Sequence, residues 1–293
     1  MLFALVSKGT LLTPEQPDTT VPWWSFTKTV LAAAALSLVR DRLINLDDTV
    51  PEGPFTLRQL LRHEAGLADY SELAEYHAAV ACNEAPWPAD EMLQRLDASR
   101  LRYTPGEGWR YSNVGYLFVA RLIERITGLP LEDALKQQVF APLGVSRVRL
   151  AKTRADLARV NMGCASAYDP AWVYHGLLVG PLAEAALCLN RLLGGDLLPQ
   201  TLLQDMQTIR KLGGPISGRP WTSPGYGLGL MCGGVENQRI LSGHTGAGPG
   251  SVVAVYHADH GNDAKTCAVF CEGNDEGAVE AQAVRFLYEY VDG

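Results

Sequence analysis

The apolar positions along the chain follow two different patterns, and the change between them divides the sequence. Residues 1–12 and the last third contain short β-rich runs, whereas the residues between them show helical spacing. Strands at both ends with helices in the middle favour one antiparallel sheet built from both termini, flanked by helices, with a mostly helical lobe inserted. We therefore predict a layered α+β fold.

The predicted helices differ in polarity, and some have recognisable ends. Residues 26–42 are dominated by Ala and Leu, and residues 114–127 carry an apolar stripe that stops at Gly128, a common helix terminator. Further helices are predicted over residues 55–63, much of 70–100, 131–139, 181–193 and 276–291.

The predicted strands lie at the two ends of the chain. The first has a turn at Lys8-Gly9, and later strands cover 239–242, 251–257 and 266–271, separated by loops rich in Gly, Asn and Asp. The pattern predicts a single domain over 1–293. Its sheet lobe would comprise about 1–50 and 220–293, and its helical lobe about 51–219.

Composition narrows the possible partners. The chain has 293 residues, of which 47% are hydrophobic, and a formal net charge of −7, which suits a folded protein with a large core. Lys and Arg are scattered and form no basic stripe, so we predict no nucleic-acid partner. The longest apolar stretch, Val30 to Val39, is too short to cross a bilayer, so we predict no membrane segment.

The pattern of the N-terminus predicts a strand followed by a turn. It is apolar but short, and it has no basic residues before its apolar run, unlike a signal peptide. We expect a cytoplasmic protein, or a periplasmic or secreted one if a signal was removed. The scattered cysteines, at 82, 164, 188, 232, 267 and 271, form no Cys-x-x-Cys pair and fit a reducing compartment.

No cofactor or metal is predicted. The sequence has no glycine-rich phosphate loop between a strand and a helix, and no His/Cys/Asp spacing typical of a metal site. Among the histidines, His63 is expected to pack or to hydrogen-bond a loop. His257 and His260 are expected to be exposed at a strand end, and His175 is open between a packed histidine and a substrate contact.

The first candidate for chemistry is Ser25-Phe26-Thr27-Lys28. At the start of a helix, Ser25 and Lys28 would share a face, so the lysine amine could accept the serine proton. The aromatic side chains of Trp23, Trp24 and Phe26 could exclude water and lower the lysine pKa. Taken alone, Ser-x-x-Lys is more often a helix-capping serine and a solvated lysine.

Two further motifs carry suitable groups. In Tyr111-Ser112-Asn113, a tyrosine beside a cationic lysine could lose its proton more easily, and the asparagine amide could hold a substrate carbonyl or the lysine. The second motif, His244-Thr245-Gly246, follows a predicted strand inside the glycine-rich run 243–250, where substrate backbone could approach closely. Each motif alone is better explained as a turn or a helix cap.

Taken in order, the three motifs resemble those of the serine β-lactamase and penicillin-binding-protein superfamily, in its class C-like branch. Segments 55–67, 105–116, 123–128 and 140–144 are also similar to that branch, so the resemblance covers about 20–290. It implies a β-lactamase/transpeptidase-like fold.

The resemblance also implies roles for individual residues. Ser25 would be the acylated nucleophile, Lys28 its helper, and Tyr111 the group that passes the proton to the leaving group and later activates water. Asn113 would hold the acyl side of the substrate. The backbone N–H groups of Ser25 and Ala247 would form the oxyanion hole.

One departure from the family pattern bears on the substrate. His244 stands where lactamases of this branch usually carry a lysine, and a neutral imidazole attracts a carboxylate less strongly than an ammonium does. The motif His244-Thr245-Gly246 is more similar to D,D-peptidases, D-aminopeptidases and esterases of the branch. The segment 168–176 matches no part of the family pattern.

The sequence therefore predicts a serine hydrolase that forms an acyl-enzyme on a small ester, amide or peptide. An ester is the first choice, a D-amino-acid peptide or amide the second, and a β-lactam the third. Two other classes stay open: a non-catalytic ligand sensor that uses the same pocket, and a structural or interaction protein in which the motifs are coincidental.

Overall fold

Both ends of the chain join one large sheet in the computed structural model, which describes residues 1–13, 19–163, 167–259 and 264–289. The strands of the described residues are β1 (Leu2–Ser7), β2 (Thr10–Leu11), β3 (Thr20–Pro22), β4 (Arg149–Ala151), β5 (Leu177–Pro181), β6 (Arg210–Lys211), β7 (Trp221–Tyr226), β8 (Met231–Val235), β9 (Arg239–Gly248), β10 (Ser251–Ala258) and β11 (Lys265–Glu272). The large sheet is antiparallel in the order β2-β1-β11-β10-β9-β8-β7-β6, which confirms the predicted α+β class.

A second, smaller antiparallel sheet has the order β3-β5-β4. Its strand β3 leads directly into the segment that carries Ser25, and the backbone N–H of Trp23 continues the pairing by donating to Leu178 O at 2.8 Å. This small sheet was not predicted, because strands of three to five residues give little alternation to detect.

The helices fill the middle of the chain and cover the sheet. In the described residues they are α1 (Thr27–Arg40), α2 (Leu57–Leu61), α3 (Ala74–Ala81), α4 (Ala89–Arg95), α5 (Asn113–Thr127), α6 (Leu131–Leu135), α7 (Leu182–Leu193), α8 (Gln200–Gln207) and α9 (Glu276–Glu289). Helix α1 is buried from Thr27 to Leu38, as its Ala-rich and nearly charge-free sequence requires. None of the described helices is long and apolar enough to cross a membrane.

The large sheet is covered on both faces. Along β10 the side chains of Val252, Ala254 and Tyr256 join the apolar cluster beneath α9, whereas Val253 and Val255 join the main core, to which α7 belongs. Burial on both faces explains why this strand reads as a continuous apolar run. Helix α7 falls within the predicted helical lobe but packs on β1 and β11. The lobe boundaries stay a prediction.

Several predicted elements differ from the observed ones. The helix predicted over 131–139 is α6 followed by a π-helical turn at Lys136–Phe140, and the helical region 70–100 contains only α3, α4 and a 3-10 turn at Tyr70–Glu72. Strands β7 and β8 were missed because glycines and a proline interrupt their β-rich pattern.

The prediction that His257 is exposed was wrong. It lies buried on β10, where its Nδ1 is 2.8 Å from Thr266 Oγ1 on the adjacent β11. Tertiary pairing with β11 explains the burial, since the strand continues past the histidine to Ala258. His260 lies outside the described residues. The cysteines at 82, 188, 232, 267 and 271 are free in the described part of the chain.

Strand β9 continues through the glycine-rich run and brings it against the nucleophile segment. A methyl group at position 246 would lie 2.5 Å from the backbone N of Ser25 and 2.6 Å from Trp24 Cβ. At position 248 it would lie 2.4 Å from the Trp24 ring. Only glycine permits this approach, so most of the glycine-rich run that was predicted to follow a strand is itself part of the packed strand β9.

We predict that Gly246→Ala lowers the free energy of unfolding by about 1–3 kcal/mol, because the added methyl has no space between the two segments. The matched control is Gly214→Ala, where the methyl meets nothing within 4 Å; it should change stability by less than about 1 kcal/mol. Urea unfolding measures both variants. Equal stability of the two variants would contradict the close approach.

Candidate active site

Ser25 lies in a short 3-10 turn, Trp24–Phe26, immediately before α1. The preceding residue, Trp24, has φ of +40°, a left-handed conformation that costs a bulky residue free energy. Tertiary contacts hold it there, since Trp24 Nε1 donates to Ser251 Oγ at 3.1 Å and the indole packs on Gly248. Backbone strain of this kind often marks a functional position.

The amine of Lys28 is fully buried and lies beside the serine hydroxyl. Lys28 has no exposed surface, and its Nζ is 3.2 Å from Ser25 Oγ. Burial lowers the pKa of Lys28 to about 7, against an opposing effect of the negative charge on Asp69. A substantial share of the Lys28 amine is therefore neutral near neutral pH, and the neutral amine has a lone pair that can accept a proton.

The ring centroid of Tyr111 lies 5.0 Å from Lys28 Nζ, and the nearby Ser25 hydroxyl influences the Tyr111 pKa. The expectation that the lysine would make this phenol more acidic was wrong. Burial raises the Tyr111 pKa well above its ordinary value, and the nearby Ser25 hydroxyl offsets this only in part. Burial outweighs the influence of the lysine, and Tyr111 keeps its proton in the resting site.

His63 packs against the ring of Tyr111. Its ring centroid is 4.3 Å from that of Tyr111, and its Nδ1 accepts a hydrogen bond from the backbone N–H of Ser112 at 3.1 Å. The expectation that His63 packs or hydrogen-bonds a loop is confirmed. Its positive φ of 60° places it at the turn after α2.

Asn113 is held by a carboxylate that the sequence analysis missed. Its Nδ2 donates to both oxygens of Asp69, at 3.2 and 3.0 Å, and its backbone N–H donates to Asp69 Oδ2 at 2.6 Å. Asp69 is buried and also accepts from Ser71 N at 2.8 Å. The only available signal was a capping pattern, Asp69-x-x-Glu72, which suggested a helix start and no chemistry.

Both ring nitrogens of His244 are occupied. Nδ1 lies 2.7 Å from Thr245 O, which can only accept, so Nδ1 carries the proton and Nε2 accepts from the Tyr226 hydroxyl at 3.0 Å. Burial lowers the His244 pKa to about 3. The imidazole is therefore neutral at neutral pH and offers neither a charge nor a free N–H to a substrate. Tyr226 gave no signal beyond a lone aromatic in a glycine-rich stretch.

The residues after His244 differ in their surroundings, since some contact other parts of the protein and some line the cavities at Ser25. Thr245 Oγ1 is 2.7 Å from the Tyr256 hydroxyl and also donates to Glu280, so its hydroxyl is engaged within the protein. Thr245 also lines the larger cavity at Ser25, and its role in substrate binding stays a prediction. Gly246 contacts the Ser25 segment. Ala247 is exposed and lines the same cavities as Ser25.

Two cavities meet at Ser25. The larger, of about 920 Å³, has a largely aromatic and aliphatic wall that includes Trp109, Tyr111 and Trp221. The smaller, of about 250 Å³, is lined by Trp24, Tyr70 and other aromatic side chains. Ser25, Asn113 and Ala247 border both, which suits a nucleophile that attacks a carbonyl between two substrate groups.

His175 is a second residue whose part in the site the sequence did not reveal. It is buried, and its Nε2 lies 3.1 Å from Lys28 Nζ. From the sequence, His175 could be either a packed residue or a substrate contact, because a lone histidine belongs to no periodic pattern or motif. In the described residues no group of His, Cys, Asp or Glu side chains could hold a metal ion.

Comparison with known proteins identifies the family of the chain. The family model described as Beta-lactamase matches residues 1–285, so the chain belongs to the beta-lactamase family. It is 28% identical to a lovastatin esterase from Penicillium rubens over 229 residues, 68% of this chain and 56% of that protein. It is 28% identical to a D-aminopeptidase from Brucella anthropi over 262 residues, 80% of this chain and 46% of that protein.

A third relative, penicillin-binding protein 4* from Bacillus subtilis, is 30% identical over 147 residues, 47% of this chain and 32% of that protein. The chain thus spans from about a third to just over half of these relatives' lengths. The family that we inferred from the three motifs is confirmed.

Solved structures support the fold. A D-stereospecific amidohydrolase from Streptomyces sp. superposes with a TM-score of 0.78 at 22% identity, covering 98% of this chain and 94% of that one. A D-amino acid amidase from Ochrobactrum anthropi SV3 gives a TM-score of 0.78 at 22% identity, with coverage of 98% and 91%. The β-lactamase/transpeptidase-like architecture is therefore confirmed.

We predict that labelling of Ser25 by a fluorophosphonate accelerates as pH rises through about 7, because deprotonation of Lys28 creates the base. Lys28→Arg keeps a long cationic side chain that does not deprotonate, so its labelling should be at least about a hundredfold slower at every pH. Stopped-flow or gel-based labelling measures both proteins. A flat pH profile, or normal labelling of the arginine variant, would contradict the role of Lys28.

Proposed function

We propose that the protein is a serine hydrolase that cleaves small esters through an acyl-enzyme on Ser25. The observation that carries this proposal is the contact of 3.2 Å between Ser25 Oγ and the buried amine of Lys28, whose pKa is about 7. A nucleophile needs an adjacent base that is unprotonated at working pH, and burial supplies one here.

The proton follows a short route in this proposal. Ser25 Oγ attacks the substrate carbonyl while its proton passes to Lys28 Nζ. Tyr111, still protonated, donates its proton to the departing alcohol oxygen and is reprotonated by Lys28. In the second half-reaction water takes the place of the alcohol, its proton follows the reverse route, and Ser25 regains its hydrogen when the acid is released.

Developing negative charge on the carbonyl oxygen would be stabilised by the backbone N–H groups of Ser25 and Ala247. Both residues border the two cavities, where the 3-10 turn packs against β9. Asn113 borders both as well, and its hydrogen bonds to Asp69 use its N–H groups and not its amide oxygen. It would hold the acyl side.

The charge of the cavity favours an uncharged substrate. His244 is neutral and its nitrogens are used internally. Arg219 lines the larger cavity, but Glu276 and Glu280 both pair with it. Among the described residues that line the larger cavity, none therefore offers an uncompensated cation to a carboxylate such as that of a β-lactam, which supports an ester ahead of a β-lactam.

A D-amino-acid amide or peptide is the second candidate. It is favoured by the D-aminopeptidase relative, which matches 80% of this chain. A ligand sensor without turnover would need only to bind its ligand. The close grouping of Ser25, Lys28 and Tyr111 favours catalysis over binding alone.

We expect a fluorophosphonate to label the wild-type chain at Ser25, located by peptide mass mapping, and Ser25→Ala to lose ester turnover by at least about a thousandfold. Circular dichroism of the variant controls for folding. Labelling of a different serine, or undiminished turnover by Ser25→Ala, would contradict the proposal. Stable acylation without turnover would support the sensor.

We also expect discrimination against a charged leaving group. With matched butyrate esters, 3-carbamoylphenyl butyrate should show a kcat/KM about tenfold above that of 3-carboxyphenyl butyrate, a difference of about 1.4 kcal/mol. The reason is that the carboxylate meets Glu276 and finds no free cation. Normalising each rate to hydroxide-catalysed hydrolysis removes intrinsic reactivity. A preference for the carboxylate would contradict a neutral His244.

A further inference from the structure

Strand β5 is fixed to the nucleophile turn on both sides of Ser25. Leu178 O accepts from Trp23 N at 2.8 Å, and Leu178 N donates to Thr27 Oγ1 at 3.3 Å. A tight turn lies between His175 and Leu178. Within it Gly176 has φ of +93°, and its N–H donates to Val173 O at 2.7 Å. The position of His175 relative to Ser25 is therefore set by the backbone of the small sheet.

At that position the imidazole contacts the catalytic amine and little else that is polar. His175 is 2% exposed, its Nε2 lies 3.1 Å from Lys28 Nζ, and its Nδ1 has no hydrogen-bond partner among the described residues. The ring also lines the smaller cavity beside Ser25. A buried polar ring that makes one hydrogen bond, to a group that must hold a lone pair, indicates a role in the reaction.

We propose that His175 is a positioning residue that accepts a hydrogen bond from Lys28 Nζ through its Nε2 and so leaves the lysine lone pair directed at Ser25 Oγ. The inference rests on the proposed function of Ser25 and Lys28. A neutral amine has two N–H groups and one lone pair. If His175 donated to it, the lone pair would be consumed and Lys28 could not take the serine proton.

The proposal therefore requires His175 to carry its proton on Nδ1. When Ser25 transfers its proton, Lys28 becomes an ammonium that still donates to His175 Nε2, and its remaining N–H groups face Ser25 and Tyr111. Burial and the nearby charge of Lys28 keep the His175 pKa well below its ordinary value, so the proton stays on the lysine and does not move to the imidazole. The other titratable groups that influence this pair are Asp69, His63, His244 and Tyr111.

Two substitutions separate acceptance of a hydrogen bond from mere packing. His175→Leu removes the acceptor, and we expect acylation of Ser25 to slow by about a hundredfold, as misplacement of a catalytic group does. The acid limb of the pH–rate profile should move to lower pH, because the ammonium loses an acceptor. His175→Gln places an amide oxygen near the Nε2 position and should restore the rate to within about tenfold of wild type, with the wild-type acid limb.

The control is His257→Leu, which removes another buried histidine, whose Nδ1 lies 2.8 Å from Thr266 Oγ1 on β11, outside the site. It should leave both the acylation rate and the acid limb unchanged. A wild-type rate and profile in His175→Leu would overturn the proposal. So would a glutamine variant as slow as the leucine variant, since that would mean His175 acts by taking up a proton.

A measurement on the unmodified protein does not depend on variant folding. In protein with ¹⁵N-labelled histidine, the ring nitrogen shifts report the tautomer, and the His175 signals are those that His175→Gln lacks. The proposal predicts a protonated Nδ1 and an unprotonated Nε2 for His175. A protonated Nε2 would overturn it even if Ser25 is acylated normally, whereas failure of the wild type to acylate Ser25 would count against the proposed function alone.

Discussion

The burial of the Lys28 amine is the constraint on which the rest of the site depends. An ammonium without a close counter-ion is costly on a side chain that has no exposed surface, so the surroundings of Lys28 favour the neutral amine. The hydrogen-bond partners of Nζ, Ser25 Oγ and His175 Nε2, are both uncharged, which leaves the cost of the charge largely uncompensated. Asp69 acts from a greater distance and, together with its own donors, only moderates the effect.

Several elements of the fold fix the geometry of one short turn, the 3-10 turn Trp24–Phe26. Strand β9 approaches it through Gly246 and Gly248, the small sheet ties Trp23 to Leu178, and Ser251 holds the strained Trp24 indole. These contacts come from segments more than a hundred residues apart in the chain. They place Ser25 just before the N-terminus of α1, which is buried from Thr27 to Leu38, and so hold the serine hydroxyl beside the buried amine of Lys28.

The general fold and the pairing of Ser25 with Lys28 could be predicted because local patterns encode them, whereas Tyr111 was joined to them only by the resemblance of the three motifs to the β-lactamase family. The β-rich ends and helical middle specify the α+β class, and Ser-x-x-Lys places its two side chains one turn apart. Asp69, His175 and Tyr226 could not be predicted, since their partners lie across the fold and no spacing links them. The pKa of Tyr111 was misjudged for the same reason, because burial is a property of the tertiary structure and outweighs the influence of one lysine.

The central claim, a lysine kept neutral by burial beside a serine hydroxyl, can be measured without a substrate. In protein labelled with ¹³C at lysine Cε, the shift of each signal reports the protonation of its amine as pH changes, and the Lys28 signal is the one that Lys28→Arg lacks. The structure predicts that this signal titrates near pH 7, well below the ordinary lysine value of about 10.4. Titration of Lys28 near that ordinary value would contradict the account.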